Sequence, residues 1–342
     1  MPSGIELTDA EIHATWQALR AAGGKRQAAA QSLGISYNAI KKRLARAPEP
    51  AFEVEPLPDE LPTAEELLKR RRQQFARKQD AADARHLIKV NVKLDGPIAL
   101  AIVGDPHVDD DGTDIALLER HIALFRKHEA LLPLGIGDYS NNWVGRLARL
   151  HGQQSLSQAE AWVLVEWLVQ AVPWLALVSG NHDAWSGDGD PIKWMAKAAR
   201  VQYEANGIRL GLTLPNGRVI RLNARHDFRG KSQWNTTHGI GKAAQMGWRD
   251  HILTAGHKHI SGWQYQRDPM TGLISHCLQV GSYKRLDRFA DEKGLPDQTV
   301  SVCPVVVVRP QFADNDNRLL TPFLDPETAA DFLKSLRKRK AA

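Results

Sequence analysis

The chain has 342 residues, of which 43% are apolar and 25% charged, a composition typical of folded globular proteins that excludes a disordered or collagen-like chain. At roughly 100–200 residues per domain, this length predicts about two domains. Two cysteines, Cys277 and Cys303, are too few for a disulfide framework and favour a reducing compartment.

The chain is predicted to be a soluble cytoplasmic protein. Its first residues lack the basic and apolar regions of a signal peptide. The most apolar window, residues 161–178, contains Glu166 and Pro173. It is therefore interpreted as a buried helix followed by a strand, not as a membrane span.

The net charge of +6 is unevenly distributed. Residues 1–47 carry +4, residues 63–93 carry +5 and residues 331–342 carry +4, whereas residues 48–62 carry −5 and residues 94–330 carry −2. Basic flanks around a slightly acidic centre are typical of a protein that binds a polyanion. The alternative for any single basic run is a solvated helix face.

Residues 1–47 are predicted to form three short helices. Thr8 and Glu11 form a capping box that starts the first helix, and Gly34 allows the tight turn before the third. The stretch from Lys25 to Ala47 resembles a helix-turn-helix DNA-binding unit. Its third helix would present five side chains to a DNA groove: Tyr37, Asn38, Lys41, Lys42 and Arg46. A helical module that does not bind DNA is the alternative.

Residues 48–93 are predicted to connect this unit to the rest of the chain. Prolines and acids in residues 48–62 indicate an exposed, semi-rigid linker. Thr63 and Glu66 form a second capping box, which opens a basic spacer helix over 63–86. Its narrow apolar stripe is compatible with a packed spacer, a basic arm or dimerisation, so the oligomeric state stays open.

From about residue 90, short apolar runs alternate with helical patterns, which predicts layered helices and sheets of the α/β class. Two helices are predicted over residues 114–128 and 158–172. Strands are predicted over residues 98–103, 131–136, 174–178, 219–224, 252–255, 277–280 and 302–308.

Five of the predicted strands are followed by residue types that commonly bind metals, namely Asp, Asn and His. The loops that follow them contain Asp105-Pro106-His107, Gly137-Asp138-Tyr139-Ser140-Asn141, Gly180-Asn181-His182-Asp183, His226-Asp227 and Gly256-His257-Lys258-His259. Each block alone is weak evidence, because such residues are common in surface turns. Together they indicate a mixed oxygen and imidazole site, which suits Mn²⁺, Fe, Zn²⁺ or Ni²⁺ better than Ca²⁺ or Mg²⁺.

These five blocks, in this order, resemble the calcineurin-like metallophosphoesterase superfamily over about residues 95–310. With the N-terminal helices, the chain looks most like phage or prophage members, which implies that it is located in the cytoplasm of a bacterial or phage-infected host cell. The resemblance implies a four-layered α/β/β/α sandwich with two mixed sheets, over residues 94–312. Residues 313–342 would form a C-terminal extension with a basic tail.

The resemblance also implies a dinuclear centre, with two divalent transition-metal ions of which Mn²⁺ is favoured. One ion would be bound by Asp105, His107 and His259. The other would be bound by Asn181, His226 and His257, and Asp138 would bridge the two. His182, oriented by Asp183, would be the catalytic histidine outside the ligand set.

The expected function is metal-dependent hydrolysis of a phosphate ester, by a phosphodiesterase that acts on nucleic acid and specifically on DNA. A hydroxide that bridges the metals is the expected nucleophile, and His182 is the expected general acid. Asn141, Arg146 and His238 are candidate substrate contacts. Three alternatives stay open: a phosphomonoesterase, a cyclic-nucleotide phosphodiesterase, and a DNA-binding regulatory or packaging protein with an inactive metal domain.

Overall fold

The computed structural model describes residues 7–46, 60–184, 190–232, 234–286, 291–292, 294 and 302–341, apart from the side chains of residues 146 and 339–341. The chain divides into two compact units, Met1–Gln73 and Gln74–Ala342. The predicted linker residues 48–59 lie outside the described residues.

The first unit contains three short helices, α1 (Asp9–Ala21), α2 (Arg26–Ser32) and α3 (Tyr37–Arg46). The predicted capping box starts α1, since the Thr8 Oγ1 accepts from the Glu11 N–H and the Glu11 carboxylate accepts from the Thr8 N–H. Ala29, Ala30 and Ile40 form the buried centre of this small core. The small alanines let the helices approach closely.

Helix α4 (Ala64–His86) begins at the second predicted capping box, where Thr63 and Glu66 exchange the same pair of bonds. It has no buried residue. Its apolar side chains Leu67, Leu68 and Phe75 are all exposed.

Sheet I has the strand order β1-β6-β7-β8-β10-β9. These strands are β1 (Ile88–Asn91), β6 (Gly207–Thr213), β7 (Val219–Arg225), β8 (Ile252–Ala255), β9 (Gly262–Arg267) and β10 (Ile274–Gln279). The strand β8 pairs in parallel with both β7 and β10. The edge strand β9 pairs antiparallel with β10.

Sheet II has the order β12-β11-β2-β3-β4-β5. These strands are β2 (Ile98–Val103), β3 (Leu131–Gly135), β4 (Ala176–Ser179), β5 (Tyr203–Ala205), β11 (Val305–Val308) and β12 (Leu320–Phe323). The strands β2 to β5 are parallel, and β11 and β12 add to them antiparallel. The carboxyl ends of β2, β3 and β4 therefore meet at one edge of the sheet.

Helices cover the outer faces of both sheets. Helices α5 (Ile115–Lys127), α6 (Gln158–Gln170), α7 (Pro191–Ala198) and α9 (Pro326–Ala341) cover sheet II, and α8 (His238–Gln245) covers sheet I. Alternate residues of β2 divide between two cores. Ile98, Leu100 and Ile102 face sheet I, whereas Ala99, Ala101 and Val103 face the outer helices. The predicted four-layered sandwich with two mixed sheets is confirmed.

All seven predicted strands form, with ends shifted by up to three residues, and so do both predicted helices of the sandwich. Five strands were not predicted: β1, β5, β6, β9 and β12. The predicted C-terminal extension also contributes to the sandwich, because β12 extends sheet II and Ala329, Ala330 and Leu333 of α9 are buried in the outer core.

The window at residues 161–178 spans most of α6 and the start of β4, which confirms its interpretation as helix then strand. Within the described residues, none of the helices combines the length and apolarity that crossing a membrane requires.

Candidate metal centre

The five predicted loops converge at the carboxyl ends of β2, β3, β4, β7 and β8. Their backbones are unusual, because five of the predicted ligands have positive φ values: Asp105 (46°), His107 (38°), Asp138 (54°), His257 (68°) and His259 (54°). Residues other than glycine rarely adopt this left-handed conformation, and it concentrates at functional sites. The loops therefore hold these side chains in positions that ordinary turns would not give.

Two glycines permit the close approach of these loops. A Cβ atom at Gly180 would lie 2.1 Å from the Asp138 Oδ1, and one at Gly256 would lie 2.3 Å from the Asp105 Oδ2. Any larger residue would displace the carboxylates. Gly180 and Gly256 therefore allow the backbone of one loop to pack directly against the carboxylate of another.

The first cluster consists of Asp105, His107 and His259, whose nearest ligand atoms all lie within 4.8 Å of one another. The Nε2 atoms of His107 and His259 are 3.2 Å apart, and the Nε2 of His259 is 3.8 Å from the Asp105 Oδ1. Asp105 and His107 are buried, whereas His259 is partly exposed.

The second cluster consists of Asp138, His226 and His257. Asn181 joins it, because its Oδ1 lies 2.9 Å from the His226 Nε2. Asp138 is central to both clusters. Its Oδ2 lies 3.2 Å from the Nε2 of His226, 3.9 Å from that of His182 and 4.0 Å from that of His107.

The environment of the His226 Nε2 fits a cation. The His226 Nδ1–H donates to the Ile136 carbonyl oxygen at 3.0 Å, which leaves Nε2 with a lone pair in the neutral ring. That lone pair faces the Asp138 Oδ2, the Asn181 Oδ1 and, at 3.2 Å, the His257 Nδ1. Converging electron pairs repel unless a positive charge lies between them. The carboxylate, amide and imidazole donors suit a divalent transition metal.

The pKa values show the same need for positive charge. Burial alone would lower the pKa of His226, but the Asp138 carboxylate raises it to about 10. Burial raises the pKa of Asp105 to about 6. Burial would raise the pKa of Asp138 as well. The neighbouring His226, His182 and His107 outweigh this effect and hold the pKa of Asp138 below its usual range. Without a metal, protons on histidine are the charges that balance these carboxylates.

His182 lies beside the centre, but Asp183 does not orient its ring. The His182 Nδ1–H donates to the Asn141 carbonyl oxygen at 2.6 Å, and the His182 N–H donates to the Asp138 Oδ1 at 3.0 Å. The Asp183 carboxylate accepts from the backbone N–H groups of Asp138, Tyr139 and Gly180 instead. The orienting role predicted for Asp183 is therefore wrong: Asp183 fixes the loops, and a backbone carbonyl fixes the ring.

Three charged residues that support the His182 loop were not predicted from the sequence: Asp109, Asp110 and Lys284. The Asp110 Oδ2 accepts from the Asn141 Nδ2 at 2.8 Å and lies 3.0 Å from the Lys284 Nζ. The Asp109 Oδ1 accepts from the Asn141 N–H at 2.7 Å. The acidic run after His107 was a usable signal for the two aspartates. Nothing in the sequence points to Lys284, which is 174 residues away from Asp110.

The candidate substrate contacts differ in position. Asn141 is fully buried: its backbone carbonyl holds His182 and its side chain donates to Asp110, so the side chain is not exposed to a substrate. Arg146 lies on the 3₁₀ helix Gly145–Gln153, and its side chain is outside the described residues. His238 is exposed at the first residue of α8. In the described residues no hydrogen bond joins it to the two clusters.

No protein-family model and no curated protein matches the sequence. Solved structures do match. The calcineurin-like phosphoesterase YfkN from Bacillus subtilis is 11% identical with a TM-score of 0.38, over 71% of this chain and 99% of that chain. The nuclease MPE from Pseudomonas putida is 14% identical with a TM-score of 0.30, over 66% and 87%.

A third match is the wild-type Vps29 complexed with zinc from Entamoeba histolytica, which is 12% identical with a TM-score of 0.31, over 66% of this chain and 97% of that chain. At identities and TM-scores this low, the function of the present chain rests on its own residues.

Proposed function

We propose that the chain is a dinuclear-metal-dependent phosphoesterase that cleaves phosphodiesters in nucleic acid. The observation that carries the proposal is the position of Asp138. One carboxylate oxygen lies within 4.0 Å of three histidine Nε2 atoms, between a cluster of Asp105, His107 and His259 and a cluster of Asn181, His226 and His257. A bridging carboxylate between two sets of donors is the arrangement that two neighbouring cations require.

Two divalent ions at such a site supply an activated water and neutralise the charge of a phosphate group. The chain's own residues supply the rest. The burial of Asp105, His107 and Asp138 excludes water from one side of the centre, whereas Asn181, His182, His257 and His259 leave the other side open. A substrate would approach from that open side.

His182 is suited to protonate the leaving oxygen. Its Nδ1–H is held by the Asn141 carbonyl oxygen, so the Nε2 faces the metal clusters, 3.9 Å from the Asp138 Oδ2. The carbonyl of His182 also accepts from the Asn142 Nδ2 at 2.7 Å. A histidine fixed at both ring and backbone can transfer a proton at a defined atom.

The nucleic-acid part of the proposal rests on the N-terminal helices and the basic flanks. Ile40 points into the small core while Tyr37, Asn38, Lys41, Lys42 and Arg46 are exposed. Two lysines and an arginine on an exposed helix, with a tyrosine and an asparagine beside them, suit a DNA groove and its phosphates.

The test of the reaction is a substrate panel with purified full-length protein, stripped with EDTA and supplied with Mn²⁺. Bis(4-nitrophenyl) phosphate and a DNA oligonucleotide should be cleaved, and 4-nitrophenyl phosphate more slowly. Asp138→Asn should lower kcat/KM by about a hundredfold or more, because even residues outside the ligand shell cost 10–100-fold.

Asp331→Asn is the matched control, because Asp331 is an exposed acid of α9 and should leave the rate unchanged. Faster hydrolysis of the monoester would favour a phosphatase. Binding of DNA without hydrolysis of any phosphate ester would favour the regulatory alternative.

A further inference from the structure

The edge strand β9 leads away from the metal centre and carries exposed aromatic rings on one face. Trp263 is 49% exposed and Tyr265 is 65% exposed. Arg267 is exposed on the same face, since side chains of a strand alternate. The opposite face lies against α8, where the Gln266 Nε2 donates to the Gly241 carbonyl oxygen at 3.0 Å.

The Trp263 ring is held in a fixed position. It lies nearly parallel to the His276 ring, at 8° with centroids 5.8 Å apart, and its Nε1–H donates to the His276 Nδ1 at 3.2 Å. Burial, with a contribution from His251, lowers the pKa of His276 to about 4. The imidazole is therefore neutral near pH 7 and can accept this bond. This hydrogen bond from the edge of the indole fixes the orientation of the ring, so little conformational entropy is lost when a ligand stacks on its face.

A groove of about 760 Å³ runs between this strand and β12. Trp263, Tyr265 and Arg267 line one side, and Asn315, Asp316 and Asn317 lie across it. The Asp316 carboxylate is paired with Arg318 at 2.7 Å. Because that acid is already neutralised, Arg267 gives the groove a positive character.

The groove begins close to the centre. Leu278 pairs with both Trp263 and Thr254, so Trp263 is two strands from Thr254, or about 9.6 Å. Thr254 precedes the ligand His257 by three residues. A polymer cleaved at the metals could therefore extend into the groove within one or two of its own repeats.

We propose that this groove binds the unpaired bases of a single-stranded nucleic acid, next to the bond that is cleaved. This inference rests on the proposed function. Rings two residues apart on a strand are about 6.7 Å apart, roughly twice the 3.4 Å rise per nucleotide of a stacked strand. Trp263 and Tyr265 thus suit an extended strand whose bases stack on protein, and Arg267 suits its phosphates. Bases paired inside a duplex cannot present their faces to these rings.

Binding is measured in EDTA, so that no cleavage occurs, with a labelled single-stranded thymidine 12-mer and the full-length protein. Trp263→Ala and Tyr265→Ala should each raise Kd by about tenfold, in line with the loss of one stacked base. Trp263→Phe should restore most of the affinity. Trp194→Ala is the control, because Trp194 is 65% exposed on α7, in the helical layer over sheet II, and should not change Kd.

Hydrolysis of bis(4-nitrophenyl) phosphate with Mn²⁺ is measured on the same variants. Unchanged rates would show that the fold and centre are intact, so that the loss of affinity belongs to the groove. Photo-crosslinking of a 5-iodouracil oligonucleotide should label β9. Unchanged oligonucleotide affinity in both alanine variants would overturn the inference, as would a crosslink confined to other elements. A chain that hydrolyses no ester would contradict the proposed function, while the binding data would still decide on the groove.

Discussion

The left-handed backbone at Asp105, His107, Asp138, His257 and His259 has an energetic consequence. Each such residue costs about 1–3 kcal/mol, which the surrounding structure must offset. Asp183 provides part of that support through its three bonds to backbone N–H groups. A bound cation would offset the charge of the buried acids, whereas the metal-free chain carries both this charge and the backbone strain as a cost to its stability.

Gly180→Ala tests the close approach of the loops. The new Cβ would lie 2.1 Å from the Asp138 Oδ1 and 2.6 Å from the Asp138 nitrogen, and overpacking of this kind costs about 1–3 kcal/mol. We expect a lower free energy of unfolding and at least tenfold weaker Mn²⁺ binding, measured by denaturant titration and calorimetry.

Gly152→Ala is the matched control for that substitution. Nothing lies within 4 Å of its Cβ position, and its φ is not in the left-handed range. If Gly180→Ala bound Mn²⁺ as tightly as Gly152→Ala, the close packing of Gly180 against Asp138 would have no role in the site.

His182→Gln tests the general acid. A proton is needed most by a poor leaving group, so hydrolysis of a thymidine dinucleotide should fall by about 10²-fold or more, whereas bis(4-nitrophenyl) phosphate should lose much less. His128→Gln, at the end of α5, should change neither rate. Equal losses on both substrates would assign His182 to binding or structure rather than to proton transfer.

At the scale of single residues, the sequence predicted the candidate metal ligands but not the side chains that hold the ligand loops in place. Asp105, His107, Asp138 and His226 follow strands that were visible as apolar runs, so their convergence was predictable from topology. The roles of Asp183 and Lys284 were not. Which hydrogen bond an acid makes depends on the backbone geometry of other loops, and Lys284 reaches Asp110 across 174 residues of chain.

At the scale of elements, buried strands were predictable and half-buried ones were not. The strand β2 is a continuous apolar run because both its faces are covered. The side chains of β9, Gly-Trp-Gln-Tyr-Gln-Arg, alternate between a face against α8 and an open face. Because polar residues interrupt the sequence, the strand has no continuous apolar run by which it could be predicted. β6 and β7 form a long antiparallel pair, but glycine and arginine interrupt the apolar pattern of β6.

Helix α3 gives a prediction at this scale. Replacing Lys41, Lys42 and Arg46 together by Gln should weaken binding to duplex DNA and reduce the salt slope of log Kd by about 2–3, because each phosphate contact contributes about 0.9. Hydrolysis of bis(4-nitrophenyl) phosphate should be unchanged.

The matched control for this triple variant replaces Lys127, Lys193 and Lys197, which are exposed on helices of the sandwich and lie outside the basic flanks. It removes the same charge. If both triple variants lost the same affinity and slope, net charge alone would explain DNA binding and the role proposed for α3 would be contradicted.

On the scale of the whole molecule, the charges separate into two roles. Residues 94–330 carry −2 while the flanks carry the basic excess. Part of the central acidity is Asp105 and Asp138, which are buried among histidines and fit metal ions. The flanks would then attract the polyanion, and the near-neutral sandwich would cleave it.

The proposed reaction depends on two cations that act together at Asp138. It is tested most directly by titrating the metal-free protein with Mn²⁺ while hydrolysis of bis(4-nitrophenyl) phosphate and the midpoint of thermal unfolding are followed. We predict that activity saturates at two equivalents per chain and that the midpoint rises as the ions bind. Activity that saturates at one equivalent, or hydrolysis that survives EDTA, would contradict it.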